Sequence, residues 1–266
     1  MPAVNPAQLR IKAASLAEKV DQPRQFVRDV HDLLSFYANR VHQAGESGAP
    51  PPAIDSYHVS PQVLRIMERE LKGVIEDHPA EGLLLVDQLW EEEWLETRLL
   101  ACGLLSHAGT QRSDEILARV QSWMWECQDD ILLKAVLDRA LSPIRSHEVE
   151  AYYSLLDDLH GQQGEDNQRI LLHLLLPLVD EPSFQDLPAV FKYLKPILQS
   201  ESEDMLSDLS RLIRRLVRRS EQEAMFFLLH QIPTAPHPKI TRAIRRSLPA
   251  FSPDSRERLK KAIREI

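Results

Sequence analysis

The chain has 266 residues and a net charge of −8, from 32 Lys and Arg against 40 Asp and Glu. Eight glycines and five tyrosines speak against a turn-rich β-sandwich or barrel. No G-x-G-x-x-G or G-x-x-x-x-G-K-[ST] phosphate loop is present, and the distant pair Cys102 and Cys127 forms neither a disulfide framework nor a zinc knuckle.

Apolar residues recur with helical period from end to end. The first two helices are expected at about 7–20 and 23–43, an N-terminal cap within residues 1–44. Residues 45–57, with Gly45, Gly48 and the run Pro50-Pro51-Pro52, read as a linker. The remaining expected helices fall at about 60–76, 79–90, 94–107, 113–124, 128–141, 146–160, 166–179, 183–199, 203–219, 221–231, 236–248 and 252–265. Ser60-Pro61 and Ser252-Pro253 place a capping residue before a first-turn proline. Connections are short, so consecutive helices are expected to pack antiparallel, in pairs of the size found in HEAT-type repeats. The expected fold is an all-α, HEAT-like helical-repeat solenoid over residues 58–266, a right-handed superhelix with a concave groove; a globular bundle is the alternative. The most apolar stretch, Ile170 to Val179, is ten residues long, too short to span a bilayer, and Met1 to Arg10 lacks the features of a signal peptide. A cytoplasmic, monomeric protein without metal or cofactor is expected.

The net charge hides a split. Residues 1–208 carry 18 basic and 35 acidic side chains, a net of −17, whereas residues 209–266 carry 14 and 5, a net of +9. Such asymmetry marks a segment that faces a polyanion. Arg211, Arg214, Arg215 and Arg218 follow i, i+3, i+4, i+7 and share one helix face, opposite Leu212, Ile213, Leu216 and Val217. Like charges at that spacing repel, so an external anion is the natural reason for them. Lys239, Arg242, Arg245 and Arg246 line the next candidate inner helix, and Lys260, Lys261 and Arg264 the last. Three basic stripes at repeat spacing make a groove wall for a phosphate backbone, positioning a duplex rather than reading its sequence. A solvated basic face is the plainer alternative.

All four tryptophans fall within residues 90–125. Trp90 and Trp94 flank Glu91-Glu92-Glu93 and are expected to pack in the core. Trp125 and Asp129 stand four apart, on a shared helical edge or at the corner of the next helix. An aromatic face beside a carboxylate holds a cation by charge and cation–π attraction. The alternative role for Asp129 or Asp130 is an N-cap for Ile131 to Leu141.

From about Tyr57 to Leu248 the chain resembles the AlkD-type DNA alkylation repair proteins, which are HEAT-like solenoids. The likeness rests on Tyr57-His-Val-Ser-Pro-Gln-Val-Leu-Arg65, on Leu89-Trp-Glu-Glu-Glu-Trp-Leu-Glu-Thr-Arg-Leu-Leu-Ala101, and on Ser122-Trp-Met-Trp-Glu-Cys-Gln-Asp-Asp-Ile131. The resemblance implies excision of cationic N3- and N7-alkylated purines from duplex DNA, without a metal and with the lesion left in the stack. It places the family's aspartate, which stabilises the cationic sugar, at Asp129, its tryptophan at Trp125, and a groove arginine at Arg169. A one-residue slip would instead put Trp123 and Met124 at the family's paired tryptophans and Gln128 at its aspartate. The family's further tryptophan falls at or near Leu212, where this chain has none. A non-catalytic DNA-binding relative and a HEAT protein–protein scaffold are therefore the alternative readings.

Overall fold

A computed structural model describes residues 5–39, 54–162, 164–199, 205–234 and 238–265. It is all-α. Among the described residues there is no strand, only an isolated bridge between Asp55 and Trp94. The chain divides into two compact units, Met1–Glu148 and Val149–Ile266.

In the first unit the helices are α1 (Pro6–Ala17), α2 (Pro23–Tyr37), α3 (Pro61–Asp77), α4 (Pro79–Glu91), α5 (Leu95–Leu105), α6 (Ser113–Glu126), α7 (Asp130–Lys134) and α8 (Ser142–His147), with a π-helical segment, Ala135–Ala140, between the last two. Four of them open on a proline, whose missing amide costs nothing at a helix start. The Asn5 side chain caps α1 through the amides of Ala7 and Gln8, and Ser60 Oγ caps α3 through Gln62. α1 packs on α3, α3 on α5 and α5 on the π segment, forming one row; α2 and α4 pack together behind it. Arg119 of α6 grips Asp87 of α4 with two hydrogen bonds of 2.7 Å. The N-terminal helices thus belong to the same packed unit as α3 to α8.

The second unit holds α9 (Val149–Gly161), α10 (Glu165–Asp180), α11 (Leu187–Gln199), α12 (Leu206–Arg219), α13 (Glu221–Thr234), α14 (Pro238–Ser247) and α15 (Pro253–Arg264). α10, α12 and α14 lie side by side, and α11, α13 and α15 form the other row. Ser247 Oγ donates to the carbonyls of Ser210 and Ala243, so small buried hydroxyls let α12 and α14 approach closely.

Three expected helices differ. The one set at 23–43 ends at Tyr37, and Gly45 to Ala53 of the linker lie outside the described residues. The expected 128–141 helix is the short α7 continued by the π segment, and 146–160 is split between α8 and α9. The Ser252 side chain does not cap α15. Its hydroxyl and amide both donate to Glu221 Oε1, at 2.5 and 3.0 Å, which ties α13 to the start of α15. These bonds to the carboxylate hold the Glu221 pKa below its usual value.

Candidate functional site

The Trp–Asp edge belongs to the first unit and is built around a stack. Trp90 and Trp123 lie nearly parallel, with ring centroids 4.1 Å apart, and both are buried. Trp90 Nε1 donates to Glu126 Oε2 at 2.9 Å. On the other side, Arg98 sits 5.1 Å from the Trp90 ring, and its Nε donates to the carbonyls of Trp90 and Glu92. Trp90 therefore does pack in the core. Trp94 does not join it: it is only half-buried and stacks on Tyr57 at 4.1 Å.

This stack fixes the last turn of α6 and turns Trp125 outward, 50% exposed, while Trp123 and Met124 stay buried. The chain then leaves the helix in extended backbone at Cys127 and starts again at Asp129. Asp129 is only 8% exposed, and its Oδ1 accepts the amides of Ile131 at 2.8 Å and Leu132 at 3.2 Å. Trp125 and Asp129 thus occupy an interhelical corner rather than one helix face. Asp129 lines a cavity of about 400 Å³ with Asp55, Glu93, Arg98, Glu126 and Gln128; Trp125 is not part of its lining. Four carboxylates against one guanidinium make this cavity a negative one, suited to a cation.

The neighbouring loop is pinned by a residue whose role periodicity does not reveal. Glu96, 3% exposed, accepts from Ser56 Oγ, Tyr57 N and Val59 N at 2.9 to 3.2 Å. In sequence it is one more Glu beside an acidic run. The clue available was its place directly after Leu95, at the start of the leucine-rich helix Leu95–Leu105. Burial and the carboxylates of Glu96 and Glu92 raise the pKa of the Tyr57 phenol, whose oxygen lies 2.8 Å from His31 Nδ1.

The arginine-bearing helices lie in the second unit. Arg169 is on α10, half-exposed, in the same row as α12 and α14. On α12, Leu209, Leu212, Ile213, Leu216 and Val217 are buried, whereas Arg211, Arg214 and Arg218 are exposed. Four arginines share the face, but they are not alike. Arg211 pairs with Asp208 at 3.0 Å. Arg215 reaches back to α10, 2.8 Å from both the Leu176 carbonyl and Asp180, where a cation suits a helix C-terminus. Arg214 donates to the Arg246 carbonyl at 3.4 Å, and Arg218 has no carboxylate partner among the described residues.

On α14, Ile240, Ala243 and Ile244 are buried, and Arg242, Arg245 and Arg246 are exposed; the Lys239 side chain lies outside the described residues. Arg245 and Arg246 have no carboxylate partner among the described residues. Lys260 pairs with Glu257 at 2.7 Å, and Lys261 lies 3.9 Å from Glu265. Their helix, α15, packs mainly on α13, so it stands in the other row rather than extending the α12–α14 face.

Among the described residues no group of His, Cys, Asp or Glu has the arrangement of a metal site, and no helix is long and apolar enough to cross a membrane. Helices paired in rows and an arginine-rich row define a class of all-α protein suited to a polyanion. The chain belongs to the DNA alkylation repair enzyme family, whose model matches residues 59–246. No curated protein and no solved structure matches it.

Proposed function

We propose that this chain binds duplex DNA through the α10–α12–α14 row and removes cationic alkylpurines at Asp129, as a HEAT-like solenoid of its family. The observation that carries the DNA part is the exposed set Arg214, Arg218, Arg245 and Arg246, on two adjacent helices and without carboxylate partners among the described residues. Cations left unneutralised on neighbouring helices are stabilised by phosphate, and releasing counterions from DNA supplies the free energy. Arg169, Arg211 and Arg242 share that row. Arg215 orders it from beneath, and Lys239 continues α14 toward its start. Lys260 and Lys261 would meet phosphate only beyond this row.

Asp129 suits the chemistry. In an N3- or N7-alkylpurine the base already carries positive charge. The C1′–N9 bond breaks with its electron pair going to the purine, which leaves neutral, and positive charge passes to C1′ and O4′. A fixed carboxylate stabilises that charge, and the Trp125 face is available to the sugar. Water then adds to C1′ and loses a proton. A preorganised group of this kind contributes roughly 3 kcal/mol to lowering the barrier. Because Trp123 is committed to the Trp90 stack, Trp125 is the tryptophan available to DNA, which favours the alignment with Asp129 over the one with Gln128.

A second reading is binding without excision. It is favoured by Leu212, fully buried where the family's further tryptophan would fall, so that α12 offers no aromatic wall. Duplex affinity measured against salt concentration tests the reading shared by both. A steep fall with rising salt is expected. Absence of binding at low salt would leave only the protein–protein scaffold.

A further inference from the structure

A second hollow, of about 770 Å³, opens on the α3–α5 side of the first unit and shares no lining residue with the Asp129 cavity, although Ile131 in its wall is two residues from Asp129. Its volume lies in the range of small-molecule sites. Val59, Leu64, Leu99 and Ile131 supply apolar surface, with Ile131 49% exposed. Two arginines, Arg65 and Arg139, also line it.

Three unusual features of the backbone and packing meet at this hollow. Arg139 stands on the π-helical segment, a form found in single turns at functional sites. Its guanidinium pairs with Glu68, and the pair passes over Gly103, where a β-carbon would stand 2.7 Å from Glu68 Oε2 and 3.2 Å from Arg139 Cζ. His58 has φ of 52°, a left-handed conformation held by Ser56, whose Oγ takes the His58 amide at 3.0 Å and lies 3.3 Å from its Nδ1. Such strain costs about 1–3 kcal/mol and gathers at ligand sites.

The charge in the hollow is uneven. Glu68 is taken by Arg139 and approached by His107 at 3.3 Å, and the two oxygens of Glu96 are taken by three donors of the 56–59 loop. Arg65 is exposed, bonds only the Pro61 carbonyl, and has no carboxylate partner among the described residues. Burial, and then the charge of Arg65, hold the Arg139 guanidinium below its usual pKa. Arg139 already has Glu68, so Arg65 is the cation that an added anion would neutralise.

We infer that this hollow seats one nucleotide of the bound DNA strand, its phosphate at Arg65, beside the Arg139–Glu68 pair, and its sugar or base against Ile131, Leu99 and Leu64. The inference rests on the DNA-binding reading above and adds a phosphate seat in the first unit, next to the Asp129 edge.

The test measures duplex affinity against salt for the whole chain, for Arg65→Ala, for Ile131→Ser, and for the double variant Arg245→Ala/Arg246→Ala. Both hollow residues are exposed, and unchanged thermal melts would show that the fold is kept. Arg65→Ala is expected to weaken binding about fivefold and to flatten the log–log salt slope by about 0.9, one phosphate contact. Ile131→Ser is expected to weaken binding about threefold with the slope unchanged, because its contact carries no charge. A merely structural role would not separate the two. If both variants bind like the unaltered chain while the α14 double variant weakens, the seat is wrong and the DNA reading stands. If the unaltered chain does not bind, both fall.

Discussion

Asp129 Oδ1 accepts the backbone amide of Ile131 at 2.8 Å, so the carboxylate proposed for chemistry is also the N-cap that starts α7. The two roles are separable by substitution. Asn caps about as well as Asp, whereas Ala loses the cap at a cost of about 0.5–2 kcal/mol. Asp129→Asn is therefore expected to melt like the parent, and Asp129→Ala lower; denaturant melts of the two variants check this. Equal, large losses for both would mean that the charge, and not the cap, holds the corner.

The α12–α14 pair predicts a contrast between arginines. Replacing Arg245 and Arg246 together by Ala is expected to leave stability unchanged and to reduce the salt slope of DNA binding by about 2. Arg215→Ala is expected to do the reverse. It removes the bonds to the Leu176 carbonyl and Asp180, lowering stability by about 1 kcal/mol while leaving the slope near its parent value. Paired melts and salt titrations read both effects.

Trp123 and Trp125 are two residues apart and should behave differently. Trp123→Ala removes one ring of the buried Trp90 stack and is expected to cost about 3–5 kcal/mol. Trp125→Ala, at a half-exposed ring, is expected to change stability by no more than about 0.5 kcal/mol and to appear only in DNA affinity or excision. Urea unfolding separates the two.

That pair also shows what the sequence could and could not tell. The start of α3 was legible because a proline after Ser60 acts locally, and the two faces of α12 were legible because Leu212 and Arg211 differ within one turn. Partners between helices were not. Nothing in a single helix's period says that Trp90 meets Trp123, that Arg215 turns toward Asp180, or that α15 packs mainly on α13 instead of extending the basic row. The Asp129 corner was half legible. Both its capping role and its distance from Trp125 were available as alternatives, and the capping bond is present. The Gly103 crossing leaves no periodic mark, since it joins Glu68 and Arg139, residues distant in sequence.

His107 gives the first unit a predicted pH dependence. Burial, then Lys72, pushes its imidazole below the ordinary 6.5, although Glu76 opposes them. Below that pH the unfolded chain takes up a proton that the folded chain resists, so stability falls as the pH drops. His107→Gln is expected to flatten the fall that sets in as the pH drops below 6.5. Denaturation midpoints across that window measure it, and an unchanged slope in the variant would assign the effect to other groups.

The most direct measurement of the central claim is release of 7-methylguanine from methylated duplex DNA by the whole chain and by Asp129→Asn, at protein concentrations where both are bound to the DNA. Release by the parent, with the variant slowed at least about a hundredfold, is the predicted result. Equal rates in the two, or bound DNA from which the parent releases nothing above background, would contradict the assignment of Asp129 to the chemistry.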